Sequence, residues 1–246
     1  MKSYQEVVAE RYDGIETELQ LVDNVYSFIN PIGFYGDRKL RELIYKIFQF
    51  IRIKKPKIDN LSILDIGCGK GFITRLFADI TEKPDNIYGL DLSSHRVKFA
   101  KEMNPNIHYE QGDFTKPLPF SRTFDLISAF DCLMHIPDEK AILDALRNIY
   151  SSLNQNGYFI WFDAYSKDHF KTGENQDHSG FNPNQMDDLC AKADLICIYH
   201  DSLFKLILNK YHTAYLSKRI PIFTLEIIER LIPAKPGNIL RIYKKR

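Results

Sequence analysis

The chain has 246 residues, 44% of them hydrophobic and 26% charged, a globular composition long enough to bury a large core in one domain with extensions. Its 33 Lys and Arg nearly balance 32 Asp and Glu, so net charge gives no pull toward nucleic acid. No C-x-x-C pair or zinc-type spacing occurs among Cys68, Cys132, Cys190 and Cys197, which argues against a metal cluster and for free thiols in a reducing compartment.

The segment opening at Met1 lacks the apolar stretch of a signal peptide. No run approaches the roughly 20 apolar residues of a membrane span, so a soluble, cytoplasmic protein without an integral membrane segment is expected. Residues 1–36 are rich in aromatics without a regular period and are expected to be irregular. Asp37 is then a candidate cap for an amphipathic helix that buries Leu40, Leu43, Ile44, Ile47, Phe48 and Ile51, stopped by Lys54-Lys55-Pro56.

From residue 61 short apolar runs alternate with helical periods. Leu61–Ile66 reads as a buried strand, followed by a glycine turn and a helix over Phe72–Ile80. Asn86–Asp91 is the second strand, and Ser93 or Ser94 caps a helix that ends before Pro105. Ile107–Glu110 and the almost wholly apolar Phe124–Phe130 are the third and fourth strands. Pro137-Asp138 opens a helix through Leu153, the polar turn Asn154-Gln155-Asn156-Gly157 ends it, and Tyr158–Phe162 is the fifth strand. Asn182-Pro183 caps and opens a helix to about Ala193. Leu195–Tyr199 and Ile239–Tyr243 are the last strands, separated by an amphipathic stretch from Ile222 to Ile232. Repeated strand–helix–strand units predict an α/β sheet with helices on both faces and a ligand edge at the strands' carboxyl ends. The expected division is a helical cap over residues 1–58 and a domain over 59–246, carrying an insertion at 202–238 before the last strand.

The spacing Asp65-x-Gly67-x-Gly69-x-Gly71 falls between a strand and a helix. Glycines there turn tightly and let backbone approach a ligand, while the helix start presents unpaired N–H groups. A dinucleotide turn needs G-x-G-x-x-G, and counting from Gly67 its third position is Phe72, which argues against a nicotinamide cofactor.

What the segment does resemble is the first motif of class I S-adenosylmethionine-dependent methyltransferases. Four positions along residues 60–200 carry the resemblance. The loop from Asp65 through Gly67, Cys68, Gly69 and Gly71 is similar to the cofactor loop, whose acid helps to hold the methionine amino group. Asp91, in Gly89-Leu90-Asp91-Leu92, resembles the acid that binds both ribose hydroxyls. Gly112-Asp113-Phe114 resembles the adenine-contacting motif. The stretch from Phe130 to Asp138 resembles the fourth motif, at the mouth where methyl transfer occurs. The resemblance implies a Rossmann-like, doubly wound, seven-stranded and mostly parallel sheet. It also implies S-adenosylmethionine as donor, with S-adenosylhomocysteine as product. Asp65 as a mere loop brace and Asp91 as a helix cap are the plainer readings of two of these acids.

Methyl transfer from a sulfonium mainly requires an aligned nucleophile and exclusion of water, with a base only if the acceptor must lose a proton. His135 is the candidate base, against a packing or capping role before Pro137. Asp131 is a candidate for orienting substrate or cofactor, and Asp163 for facing the pocket. His169 and His178, in the polar segment 166–181, and Tyr35 are candidate substrate contacts. The spacing of these residues fits no metal template. Cys68 and Cys132 read as pocket walls rather than nucleophiles.

Phe130-Asp131-Cys132-Leu133 stands where nucleic-acid amino-methylating members carry Asn/Asp-Pro-Pro-Tyr, so a small-molecule acceptor is expected, possible classes being a sugar, a glycan precursor or a lipid-linked metabolite. The apolar insertion 202–238 leaves core packing, a homodimer interface and peripheral membrane contact open. The non-enzymatic alternative is a catalytically idle methyltransferase-fold subunit that binds a partner through this insertion.

Overall fold

A computed structural model describes residues 31–55, 57–136, 138–169, 180–203, 221–231 and 237–246. Backbone contacts divide the chain into two units: one holds residues 57–201 and 239–246, and the other joins residues 14–56 to 202–238.

The first unit is built on a seven-stranded sheet, β1 (Ile63–Ile66), β2 (Ile87–Asp91), β3 (His108–Gln111), β4 (Phe124–Phe130), β5 (Leu153–Ala164), β6 (Leu195–Asp201) and β7 (Asn238–Lys245), in the order β3-β2-β1-β4-β5-β7-β6. Pairs β1–β2, β1–β4, β2–β3 and β4–β5 are parallel, whereas β6 and β7 are antiparallel. Strands β1 and β4 are buried almost throughout, as parallel strands covered on both faces must be. The expected Rossmann-like, mostly parallel sheet is therefore what the chain forms. Chain order reverses between β1 and β4, and in such sheets the crevice beyond the carboxyl ends at that point is where ligands sit.

The helices of this unit are α2 (Phe72–Thr81), α3 (Ser94–Met103), α4 (Glu139–Ser152) and α5 (Pro183–Lys192). Three begin on side-chain caps legible in the sequence. Ser93 Oγ accepts from the Arg96 N–H, Asp138 Oδ1 from the Ala141 N–H, and Asn182 Oδ1 from the Asn184 N–H, each satisfying an N–H that lacks a partner within its helix. Ile142, Leu146 and Ile149 of α4 and Met186 and Leu189 of α5 share one core with Phe159 and Trp161 of β5.

The second unit contains α1 (Pro31–Lys54) and α6 (Ile222–Leu231). The expectation of irregular chain up to residue 36 is overturned for Pro31–Gly36, which is already helical. Tyr35 is buried, so packing of its side chain holds this stretch helical. Asp37 accordingly caps nothing: it lies within α1 and accepts from Arg41 Nε at 2.9 and 3.0 Å, one turn away. Arg38 of α1 forms an ion pair with Glu226 of α6.

A second correction concerns β5, which begins at Leu153 rather than at Tyr158. Leu153 pairs with Phe124 and Tyr158 with Leu126, so the polar residues expected to form a separate turn are extra residues bulged within one strand, with Asn156 at φ +61°. No helix among the described residues is long and apolar enough to cross a membrane.

Candidate functional site

The site is assembled at the carboxyl ends of β1, β2, β3 and β4. Asp65 lies inside β1, 1% exposed, opposite Gly89 on β2 and Ser128 on β4. Its carboxylate accepts from Thr74 Oγ1 of α2 at 2.7 Å and from Ser128 Oγ at 2.8 Å. Burial pushes its pKa up to about 7, with the Asp91 charge adding to the rise and the two hydroxyls opposing it. The carboxylate thus braces the two central strands and the following helix from beneath the loop.

Above it, Gly67, Gly69 and Gly71 all have positive φ. Gly71 is the N-cap of α2 at φ +77°, and a Cβ there would stand 2.4 Å from the Tyr109 hydroxyl. Gly67 packs as tightly on Cys132. Gly69 differs, since a Cβ would meet nothing nearer than Arg96 at 3.6 Å, so the loop is open on that side.

Strand β2 fixes the height of the loop. The Cys68 N–H donates to the Leu90 carbonyl at 3.1 Å, and the Gly69 N–H donates to Asp91 Oδ2 at 2.7 Å. Asp91 Oδ1 accepts from the Ser93 N–H at 2.9 Å. One carboxylate therefore joins the glycine loop to the start of α3. Leu92 is half-buried, and its carbonyl accepts from Gln111 Nε2 at 3.1 Å. Beyond β3, Asp113 Oδ1 accepts from the Thr115 N–H and hydroxyl at 3.0 and 2.6 Å, and Lys116 Nζ lies 3.6 Å from Oδ2. Phe114 is partly buried against the main core, its carbonyl held by Asn148 Nδ2 at 3.2 Å.

At the end of β4, Phe130 packs 6.4 Å from Phe77 and 5.4 Å from Phe162, ring centre to ring centre. Asp131 is exposed at φ +48°, and its N–H donates to the Phe162 carbonyl at 2.8 Å. The short turn Leu133–His135 follows, with His135 half-buried. Asp131 and His135 thus share one turn beside the loop formed by residues 67–71, since Cys132 touches Gly67. The Cys132 thiol donates to the Ile66 carbonyl at 3.4 Å and the Cys68 thiol to the Gly69 carbonyl at 3.8 Å; burial raises both thiol pKa values, which disfavours the thiolate at both.

Asp163, the candidate for facing the pocket, has no exposed surface. It is fully buried in β5, where Oδ2 accepts from Trp161 Nε1 at 2.7 Å and Oδ1 has no hydrogen-bond partner. Burial raises its pKa well above the usual carboxylate range, and the charge of Asp131 raises it further. The strand places Asp163 on the same face as Trp161, two residues earlier, and the Asp131 charge acting on it belongs to the turn after β4.

Two of the other three candidate substrate contacts fall within the described residues. Tyr35 is buried in α1 of the second unit, with the Arg38 and Lys39 cations each 5.7 Å from its ring centre. His169 is exposed beyond β5. His178 lies outside the described residues. Among the described residues no group of three or more His, Cys, Asp or Glu is placed to hold a metal ion.

A glycine loop on β1 bonded to the acid that ends β2, at the reversal of a parallel sheet, is matched by a family model described as a methyltransferase domain, over residues 57–219. The chain belongs to the methyltransferase-domain family. Its relatives include the ubiquinone biosynthesis O-methyltransferase of Colwellia psychrerythraea, 27% identical in an alignment that covers 49% of this chain and 51% of that protein. A sterol 24-C-methyltransferase of Gibberella zeae is 24% identical over 61% of this chain and 40% of its own length. The chain spans about half the length of the curated relatives it matches. The crystal structure of magnesium protoporphyrin IX methyltransferase from Synechocystis PCC 6803 with bound S-adenosylmethionine superimposes with a TM-score of 0.64 at 10% identity, covering 100% of this chain and 99% of that one, which shows a shared fold.

Within this methyltransferase domain, sequence reasoning overlooked Thr74, Ser128 and Tyr109. Ser128 left a trace, being the polar residue in the apolar run Leu126-Ile127-Ser128-Ala129. Thr74 and Tyr109 left none: Thr74 reads as one more residue of its helix, and Tyr109 meets Gly71 from 38 residues away.

Proposed function

We propose that this chain binds S-adenosylmethionine and transfers its methyl group to an oxygen or nitrogen atom of a small molecule, with a sugar, a glycan precursor and a lipid-linked metabolite as acceptor classes. The observation that carries the reading is the Asp91 carboxylate bonded to the Gly69 N–H, because it sets an acid and an open backbone side by side at the topological switch point.

The residues present fit that cofactor. Asp91 accepts from the Gly69 and Ser93 N–H groups, and a carboxylate, with two oxygens that only accept, suits a pair of adjacent ribose hydroxyls. Asp113 and Phe114 would meet the adenine, while Gly67, Cys68, Gly69 and Leu92 line the loop side and Phe130 the strand side. Asp65 sets the loop's shape through Thr74 and Ser128. Bound S-adenosylmethionine supplies a methyl group on a cationic sulfur that is already a good leaving group. The chain's own task is then alignment and exclusion of water. Asp131 and His135 stand in the turn beside the loop, where Asp131 would orient the acceptor and His135 take its proton if it carries one.

Calorimetry with S-adenosylmethionine and S-adenosylhomocysteine tests the proposal. Both should bind, and Asp91→Ala should weaken both by roughly 10- to 150-fold, the worth of about 1.5–3 kcal/mol of charged hydrogen bonds, with cooperative unfolding retained. Unchanged affinity would remove the ribose assignment. No heat from the native chain with either compound would favour the idle-subunit reading.

A further inference from the structure

Helix α6 leaves an apolar stripe uncovered. Phe223, Ile227 and Leu231 recur every fourth residue, which keeps them on one side of a helix, and they are 65%, 50% and 77% exposed. The stripe is not the side α6 turns to α1, because Glu226, on its flank, makes that contact through Arg38. Helix α1 shows the same mixture: Tyr45 is 63% and Ile53 77% exposed, with exposed Lys46, Arg52 and Lys54 beside them in sequence.

Charge indicates what covers the stripe. Residues 14–56 and 202–238, which form the second unit, contain 13 Lys and Arg against 7 Asp and Glu, a net +6. The whole chain is +1, so the remainder carries −5. An exposed Phe, Ile and Leu face on a strongly basic unit is the combination that binds an anionic lipid interface, where apolar side chains enter the headgroup boundary and Lys and Arg meet phosphates. A second copy of the same unit would set +6 against +6.

We propose that the second unit docks on an anionic membrane surface, with Phe223, Ile227 and Leu231 inserted among the headgroups. The proposal stands apart from the methyltransferase reading, since neither cofactor nor acceptor enters it.

The test is co-sedimentation of the full chain with equimolar phosphatidylglycerol–phosphatidylcholine vesicles and with phosphatidylcholine vesicles alone. The native chain should pellet with the anionic vesicles, pellet weakly with the neutral ones, and be released as salt rises. The triple variant Phe223→Ser, Ile227→Ser, Leu231→Ser should partition at least about tenfold less and unfold at the same temperature, because the replaced side chains are exposed. A second variant, Arg52→Glu with Lys54→Glu, should also lose binding while keeping the stripe. No pelleting of the native chain, equal pelleting on neutral vesicles, or full binding by the triple variant would each overturn the proposal. So would a concentration-dependent dimer in solution that the triple variant abolishes, which would assign the stripe to a second copy.

Discussion

Replacing Asp65 by Asn should change how stability depends on pH. The folded carboxyl has a pKa of about 7 against an ordinary value of 3.8. Between those values the folded protein keeps a proton that the unfolded chain has lost, so stability falls as pH rises across the window and levels off above it. The difference between those values corresponds to about 4 kcal/mol. Asn keeps the size and cannot ionise; the Thr74 or Ser128 hydroxyl need only rotate to accept from its amide. Urea unfolding of both proteins from pH 4 to pH 8, followed by fluorescence of the single, fully buried Trp161, gives the difference directly, and titrations common to both cancel. The native chain should lose about 4 kcal/mol relative to Asp65→Asn across that range. Parallel curves would show that the buried carboxyl is not held neutral by its surroundings.

Gly71→Ala should cost about 2–4 kcal/mol, from the left-handed backbone and the 2.4 Å approach to the Tyr109 hydroxyl. That hydroxyl is buried without a partner, so Tyr109→Phe should be neutral or stabilising and should restore part of the Gly71→Ala loss; strict additivity in thermal unfolding would refute the contact. Asp163→Asn keeps an acceptor for Trp161 Nε1 and removes a carboxyl that folding holds protonated after the unfolded chain has lost its proton, so it should stabilise the chain at pH 8 and have little effect at pH 4. A loss of stability at pH 8 in the same urea measurement would contradict this.

Features written locally in the chain were legible. The apolar runs marked the strands, and Ser93, Asp138 and Asn182 marked helix starts, because capping depends on residues within three positions of each other. The glycine spacing and Asp91 located one edge of the sheet, since strand ends follow directly from strand positions. What escaped depended on partners far away in sequence. Nothing near Asp65 announces that hydroxyls nine and 63 residues later will claim its oxygens. Asp163 follows an apolar run as a pocket acid would, and only packing decides which way it turns. The polar residues before Tyr158 have turn chemistry, yet pairing of Leu153 with Phe124 draws them into the strand.

Strand β7 lies between β5 and β6 although it is the last of the seven in chain order. While the chain emerges from the ribosome, β5 has an open edge and β6 has no neighbour to join, so two of the seven strands stay unplaced until β7 (Asn238–Lys245) has emerged. Unpaired edges of that kind recruit other strands. Until β7 slots into place, the edge of β5 that it will cover is therefore the part of the sheet open to a foreign strand.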